Sequence, residues 1–159
     1  MSKQTIAQMF DLTGRGGLVT GGSKGLGKAI ALRLAEAGAS VMITGRNMED
    51  IRQTVAEIKA QGGRTQGIEA DAASLADARK SVQATVKAFG NLHILVNNAG
   101  IYPLNAVMDI TEEQWDAVLD INLKGAFFHS QEAARAMIKA GQGGCIVNIA
   151  SMGAFKPQG

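Results

Sequence analysis

The chain has 159 residues, of which 46% are hydrophobic and 19% charged, a balance typical of one globular domain rather than a disordered segment. Its net charge of +2 comes without any block of basic residues, which argues against a nucleic-acid-binding face. No apolar stretch approaches the roughly 18 residues of a membrane span. The N-terminal residues lack the apolar core of a signal peptide, and one cysteine cannot form an internal disulfide. We therefore expect a cytoplasmic protein, with Cys145 a buried structural thiol.

Short apolar runs alternate with helical patterns along the whole chain. Each run is nearly continuous in apolar residues, which predicts strands covered on both faces. The predicted strands are residues 17–20, 40–44, 65–69, 92–97 and 145–149. This alternation predicts an α/β fold, a doubly wound parallel sheet of five strands within a single domain over residues 1–159. We expect the Rossmann type of this sheet, in which the strands have the order 3-2-1-4-5.

Capping residues mark the ends of the predicted helices. Ser74 is placed to begin the third helix, and Thr111 with Gln114 forms a capping box at the start of the fourth. Gly38 and Gly90 follow the first and third helices as C-terminal stops.

A glycine-rich loop lies between the first predicted strand and the first helix. Gly21, Gly25 and Gly27 would let the backbone approach a phosphate at a helix N-terminus. A P-loop is improbable, because Ala29 stands where that loop needs a hydroxyl for magnesium. The strict G-x-G-x-x-G spacing is absent as well, since Ile30 occupies its third glycine position.

The loop at 20–27 resembles the Thr-Gly-x-x-x-Gly-x-Gly loop of the short-chain dehydrogenase/reductase family, and the likeness continues in order along the chain. Asp71 follows the third strand, and Asn-Asn-Ala-Gly at 97–100 follows the fourth. Asn122 lies in the fourth helix, and the strand 146–151 ends on a serine. Four of these motifs fall at the carboxyl ends of predicted strands, where open α/β sheets bind ligands.

The resemblance implies a nicotinamide dinucleotide site, two of the catalytic residues and no metal. Ser151 would hold a carbonyl oxygen and Asn122 a water of the proton relay, while Asp71 would contact the adenine ring. The implied cofactor-binding residues are Gly21, Ser23, Lys24, Gly25, Leu26, Gly27, Arg46, Asp71, Ala72, Asn98, Ala99 and Gly100.

The residues after the second strand indicate which dinucleotide is preferred. NAD-preferring proteins place an acid about 20 residues past the glycine loop, whereas a basic group suits the 2′-phosphate of NADP. Here Gly45 stands where NAD-preferring family members carry aspartate, and Arg46 follows it. Lys24 is a second candidate for the same phosphate. The sequence therefore favours NADP(H) over NAD(H).

Half of the family's catalytic set has no counterpart in this chain. A Tyr-x-x-x-Lys pair is expected by resemblance about a dozen residues past Ser151, whereas the sequence stops at Gly159. Tyr102 has no lysine four residues on, and we expect it to border the substrate entrance. We therefore expect these residues to be a C-terminally incomplete enzyme, inactive alone, whose fifth strand would be an unpaired apolar edge.

Other catalytic chemistries fit the sequence poorly. His93 and His129 lack partners at triad or metal-ligand spacing, so we interpret both as structural. Ser151 lacks the glycine-flanked elbow of serine hydrolases.

Two function classes stay open. One is an NADP-dependent oxidoreductase that transfers a hydride between nicotinamide and a carbonyl or alcohol carbon. Its substrate would be that of a 3-oxoacyl-(acyl-carrier-protein) reductase-like carbonyl reductase or, alternatively, of a sugar-acid or polyol dehydrogenase. The other is a nucleotide-binding fragment without catalysis. The resemblance further implies a small-molecule or acyl-carrier substrate and, for the full enzyme, a homodimer or homotetramer.

Overall fold

The computed structural model describes residues 5–154, and it confirms the predicted doubly wound sheet. Five strands pair in parallel in the order β3-β2-β1-β4-β5. The strands are β1 (Gly16–Val19), β2 (Ser40–Gly45), β3 (Thr65–Glu69), β4 (Ile94–Asn97) and β5 (Cys145–Asn148). The helices are α1 (Ile6–Met9), α2 (Gly25–Glu36), α3 (Met48–Ala60), α4 (Leu75–Phe89), α5 (Glu112–Leu119) and α6 (Ala126–Ala140), with 3₁₀ turns at Val107–Asp109 and Met152–Ala154.

Two apolar clusters cover the two faces of the sheet. Alternate residues of a strand point to opposite faces, so Val19 packs with α2 and α3 while its neighbour Leu18 packs with α4 and α6. Ile43 and Met42 divide in the same way on β2. The central strands are therefore buried on both sides.

The predicted helix caps are present in the fold. The Ser74 hydroxyl accepts a hydrogen bond from a backbone N–H of the first turn of α4, and Thr111 and Gln114 form a capping box at α5. Gly38 and Gly90 have φ of +98° and +83°, the left-handed conformation of a helix stop. The caps thus begin and end the helices as the sequence predicts.

The prediction that every strand is covered on both faces is wrong for β3 and β5, which are the two outer strands. An outer strand has a neighbour on one side only. On β5, Val147 is 41% exposed, and Cys145 is exposed rather than buried. Among the described residues β5 is an open apolar edge, as the sequence predicts. The fourth strand also begins at Ile94 instead of residue 92.

The predicted fourth helix is interrupted by one π-helical turn. α5 runs directly into this turn, Asp120–Gly125, which runs directly into α6. In a π-helical turn each backbone N–H bonds to the carbonyl oxygen five residues earlier instead of four, and such turns are frequent at functional sites. No helix among residues 5–154 is both long and apolar enough to cross a membrane.

Candidate dinucleotide site

A cleft of about 380 Å³ lies at the carboxyl ends of β1 to β4. Its walls come from the loops that follow these strands and from one residue of the π-helical turn. The lining residues are Gly21, Ser23, Lys24, Thr44, Gly45, Arg46, Ala70, Asp71, Ala72, Ala99, Gly100, Ile101 and Ile121. Eight of the twelve predicted cofactor residues are among them. The fold therefore brings together residues that lie up to 100 positions apart in the chain, from Gly21 to Ile121.

The glycine loop is packed closely against the loop after β4. Gly21 has φ of +63°, and a Cβ there would lie 3.0 Å from the Ala99 Cα. A Cβ on Gly27 would overlap the Gly21 carbonyl oxygen and the Asn98 amide nitrogen. These positions require glycine for a steric reason. Gly25 has φ of +52° and open space around it, which leaves room beside the N-terminus of α2.

Four predicted cofactor residues do not line the cleft. Gly25, Leu26 and Gly27 form the first turn of α2, where Leu26 is 59% exposed. The side chain of Asn98 lies behind the glycine loop, and its amide nitrogen donates to the carbonyl oxygens of Thr20 and Gly21 at 3.0 and 3.1 Å. Asn98 therefore acts on the cleft by holding the loop that forms its wall.

Thr20 is a site residue that the sequence prediction missed. Its side chain is buried, and its Oγ1 accepts hydrogen bonds from the backbone N–H groups of Asn98 at 3.0 Å and Ala99 at 3.1 Å. The hydroxyl itself donates to the Val96 carbonyl oxygen at 3.4 Å. Thr20 and Asn98 thus bond the two loops in both directions. A threonine at the end of the first apolar run was the signal available in the sequence.

The two predicted phosphate-binding cations differ in their surroundings. Lys24 is largely exposed, and its Nζ lies 2.8 Å from the Asp50 carboxylate at the start of α3. Arg46 is exposed in the cleft wall and forms no ion pair within residues 5–154. A Cβ on Gly45 would lie 2.7 Å from the Ser23 Oγ, so a larger residue at position 45 requires Ser23 to move. Arg46 is the cation with its charge unpaired.

Asp71 and Ala72 form the wall after β3. The backbone N–H of Asp71 donates to the Asp77 carboxylate at 2.8 Å, and the Asp71 carboxylate accepts from the Ala73 N–H at 3.0 Å. The bond from the Asp71 N–H is the main cause that lowers the pKa of Asp77. Asp77 is therefore held in the charged form that keeps this loop folded over the start of α4.

Asn122 lies in the π-helical turn and holds the backbone of the loop after β4. Its Oδ1 accepts from the Ile101 N–H at 2.9 Å, and its Nδ2 donates to the Ile101 carbonyl oxygen at 2.9 Å. Ser151 follows β5 and is exposed, with its Oγ accepting from the Gly153 N–H at 3.1 Å. Neither residue lines the cleft directly, although Ile101 and Ile121 do.

The remaining candidates lie elsewhere. Tyr102 is 80% exposed beside the cleft wall. His93 is buried with both ring nitrogens bonded, Nδ1 accepting from the Gly16 N–H at 3.1 Å and Nε2 donating to Gln142 at 2.9 Å. His129 is buried in α6. Within residues 5–154, no cluster of three or more His, Cys, Asp or Glu could hold a metal ion.

Comparison with known proteins agrees with this geometry. The family model described as short chain dehydrogenase matches residues 17–159. The chain belongs to the short-chain dehydrogenase family. The match covers the whole cleft and all of the sheet except Gly16, whereas α1 lies before it.

Several members of the short-chain dehydrogenase family are similar to this chain. The 2-dehydro-3-deoxy-D-gluconate 5-dehydrogenase of Dickeya dadantii (strain 3937) is 40% identical over 151 residues, which are 95% of this chain and 59% of that protein. A 3-oxoacyl-(acyl-carrier-protein) reductase of Staphylococcus aureus (strain Mu50) is 40% identical over 136 residues, 85% of this chain and 55% of that protein. The chain thus spans less than two thirds of the length of these relatives.

Solved structures of short-chain dehydrogenases superpose on the chain. A short-chain type dehydrogenase/reductase from Mycobacterium marinum gives a TM-score of 0.94 at 35% identity, covering 98% of this chain and 63% of that one. A short chain dehydrogenase from Burkholderia cenocepacia J2315, crystallised in complex with NADP, gives 0.87 at 43% identity, covering 93% of this chain and 60% of that one.

Proposed function

We propose that this chain is the NADP(H)-binding part of a short-chain oxidoreductase that acts on a carbonyl or alcohol carbon. The observation that carries the proposal is the cleft at the carboxyl ends of β1 to β4, where the glycine loop, Arg46 and the loops after β3 and β4 meet. A relative of known structure that binds NADP supports the choice of cofactor.

The residues of the cleft fit a dinucleotide phosphate. The glycine loop leaves open space at Gly25, next to the N-terminus of α2, whose free N–H groups and dipole favour an anion. Arg46 offers a planar cation for the 2′-phosphate, and Gly45 provides no carboxylate to repel it. When bound, the nicotinamide would supply or accept the hydride.

The chain's own residues would orient the reactants. We assign the hydroxyl of Ser151 to holding a carbonyl oxygen, which its exposure permits. Asn122 would fix the position of Ile101 in the cleft wall through its paired bonds to that backbone, and its turn would hold a water for proton transfer.

Two substrate classes are supported by the relatives. A 3-oxoacyl thioester is our first proposal, because a 3-oxoacyl-(acyl-carrier-protein) reductase is 40% identical to the chain. A sugar acid is the second candidate, since the dehydrogenase of 2-dehydro-3-deoxy-D-gluconate is equally identical over a larger share of the chain. In the complete enzyme, a 3-oxoacyl thioester would oxidise NADPH and lower its absorbance, whereas a hydroxyl group of a sugar acid would reduce NADP⁺ and raise that absorbance. No change with either substrate would favour a nucleotide-binding fragment without catalysis.

Calorimetric titration tests the proposed cofactor directly. We expect the protein to bind NADPH more tightly than NADH, and both more tightly than ATP with magnesium. A stronger interaction with ATP would support a P-loop instead. Equal affinity for NADPH and NADH would show that Arg46 does not contact the 2′-phosphate.

Replacing Arg46 with aspartate should shift the nucleotide preference toward NADH. The change removes one charge-assisted bond and places a carboxylate beside the 2′ position, so the NADPH-to-NADH affinity ratio should fall about 10- to 100-fold, corresponding to roughly 1.4–2.8 kcal/mol. Calorimetry with both nucleotides measures the ratio.

Arg52→Asp provides the matched control for this change. Arg52 is exposed on α3 and does not line the cleft, so the same charge reversal there should alter the ratio less than about threefold. If both substitutions change the ratio equally, a general charge effect explains it and Arg46 does not contact the phosphate.

A further inference from the structure

His129 is a buried titratable residue that the proposed reaction does not use. It lies in the first turns of α6 and is 1% exposed. Its Nδ1 is 2.9 Å from the carbonyl oxygen of Gly125, the last residue of the π-helical turn. Because a carbonyl oxygen can only accept, Nδ1 must carry the hydrogen. Burial is the main cause that lowers the pKa of the imidazole, opposed by this bond and by the charge of Asp77 on α4.

This arrangement leaves the other ring nitrogen without a partner. Nε2 of the neutral ring is an acceptor, and within the described residues it has no hydrogen-bond partner. A leucine of similar size would fill the same space without that cost, since a buried polar atom left unpaired is unfavourable. The bond from Nδ1 to Gly125 is therefore the interaction that a histidine contributes here and a leucine could not.

The bond lies where the π-helical turn becomes α6. Ser130, the next residue, makes the same kind of bond, its Oγ donating to the Ala126 carbonyl oxygen at 2.7 Å. Two consecutive side chains thus bond backward to carbonyls four residues earlier, a pattern that bends helices. Ser130 also accepts from Asn97 of the sheet at 2.8 Å. The junction is anchored to the sheet by Ser130 and to the end of the turn by His129.

Gly125 connects this junction to the cleft. It is buried, and a Cβ on it would overlap the carbonyl oxygen of Ala72 in the cleft wall. Three residues earlier in the same turn, Asn122 holds both backbone groups of Ile101. A shift of Gly125 would therefore move Ala72 in the cleft wall, and it would also move the Asn122 side chain that holds Ile101.

We propose that His129 is a positioning residue, whose Nδ1–H holds the end of the π-helical turn and so keeps Asn122 bonded to Ile101 beside the cleft. The importance of this role for catalysis rests on the proposed function, whereas the positioning itself can be measured without any nucleotide or substrate.

Nitrogen-15 NMR of the unmodified protein gives the first test. The chain has two histidines. We expect His129 in the Nδ1–H form and His93, which accepts at Nδ1, in the opposite Nε2–H form. An Nε2–H form at His129 would overturn the proposal, because the bond to Gly125 could not then exist.

Amide hydrogen exchange at Ile101 gives the second test. Its N–H is held by Asn122, so Asn122→Ala should speed its exchange and calibrate the measurement. We expect His129→Leu to speed it at least tenfold, and His129→Asn, which keeps a donor near the Nδ1 position, to stay within about threefold of the unmodified protein. The amide of Val41, bonded to the Arg64 carbonyl oxygen in the sheet, reports global unfolding.

His93→Leu is the matched control, since it removes the other buried histidine from a different part of the fold. It should leave Ile101 exchange within about threefold of the unmodified protein. Equal exchange at Ile101 in His129→Leu and His93→Leu would overturn the proposal, as would failure of His129→Asn to restore protection. If His129→Leu does not fold, the tautomer of His129 and the exchange of the Ile101 amide in His129→Asn still test the proposal. Failure to bind NADPH would alter none of these outcomes and would refute only the proposed function.

Discussion

Replacing Gly27 with alanine is expected to weaken NADPH binding about a hundredfold, equivalent to roughly 2.7 kcal/mol. A methyl group there would overlap the Gly21 carbonyl oxygen and the Asn98 side chain, both of which belong to the closely packed pair of loops. The glycine loop would have to move away from the loop after β4, and the phosphate-binding geometry would move with it. Overpacking should also lower the free energy of unfolding by about 1–3 kcal/mol.

Calorimetry and urea denaturation separate these two effects. Gly90→Ala is the control, because Gly90 also has a positive φ but a Cβ there would meet no atom within 4 Å. It should cost about 1 kcal/mol of stability and leave NADPH affinity unchanged. Unaltered NADPH binding by Gly27→Ala would show that the loop does not hold the nucleotide in its present conformation.

Replacing Thr20 with valine is expected to lower the free energy of unfolding by about 3 kcal/mol. Valine keeps the shape of threonine but cannot accept the hydrogen bonds from the N–H groups of Asn98 and Ala99. Each donor left unpaired costs about 1–3 kcal/mol. Since Ala99 lines the cleft, NADPH affinity should fall as well. Urea denaturation and calorimetry measure the two changes.

Thr20→Ser tests whether the hydroxyl carries the effect. Serine keeps the acceptor and loses one methyl group, so the loss of stability should stay near 1 kcal/mol and the nucleotide affinity near that of the unmodified protein. Equal losses for valine and serine would assign the role of Thr20 to packing rather than to its hydrogen bonds.

Features that depend on local spacing were predictable from the sequence. The alternation of apolar runs and helical patterns predicted a parallel, doubly wound sheet, and the Rossmann type of such a sheet has the strand order that the structure confirms. The capping box at Thr111 and the glycine stops were visible because each involves residues three or four positions apart. The glycine spacing and the residues after each strand predicted which loops form the cleft, because parallel strands end at one edge of the sheet.

Features that depend on contacts distant in sequence were not predictable. The bonds of Thr20 to Asn98 join residues 78 positions apart, and the ion pair of Lys24 with Asp50 depends on how α2 and α3 pack. The sequence predicted β5 as an open edge but not the exposure of Cys145, which the apolar composition of that strand does not reveal.

The sequence by itself therefore determined the kind of sheet, the place of the glycine loop and the chemical types of residue at the strand ends, because hydrophobic periodicity and short-range spacing encode them. Tertiary structure alone decided which side chains reach the cleft, which cation stays unpaired, and where the long helix turns into a π-helical segment. Those outcomes result from the packing of elements far apart in the chain, and the bond from His129 to Gly125 becomes visible only there.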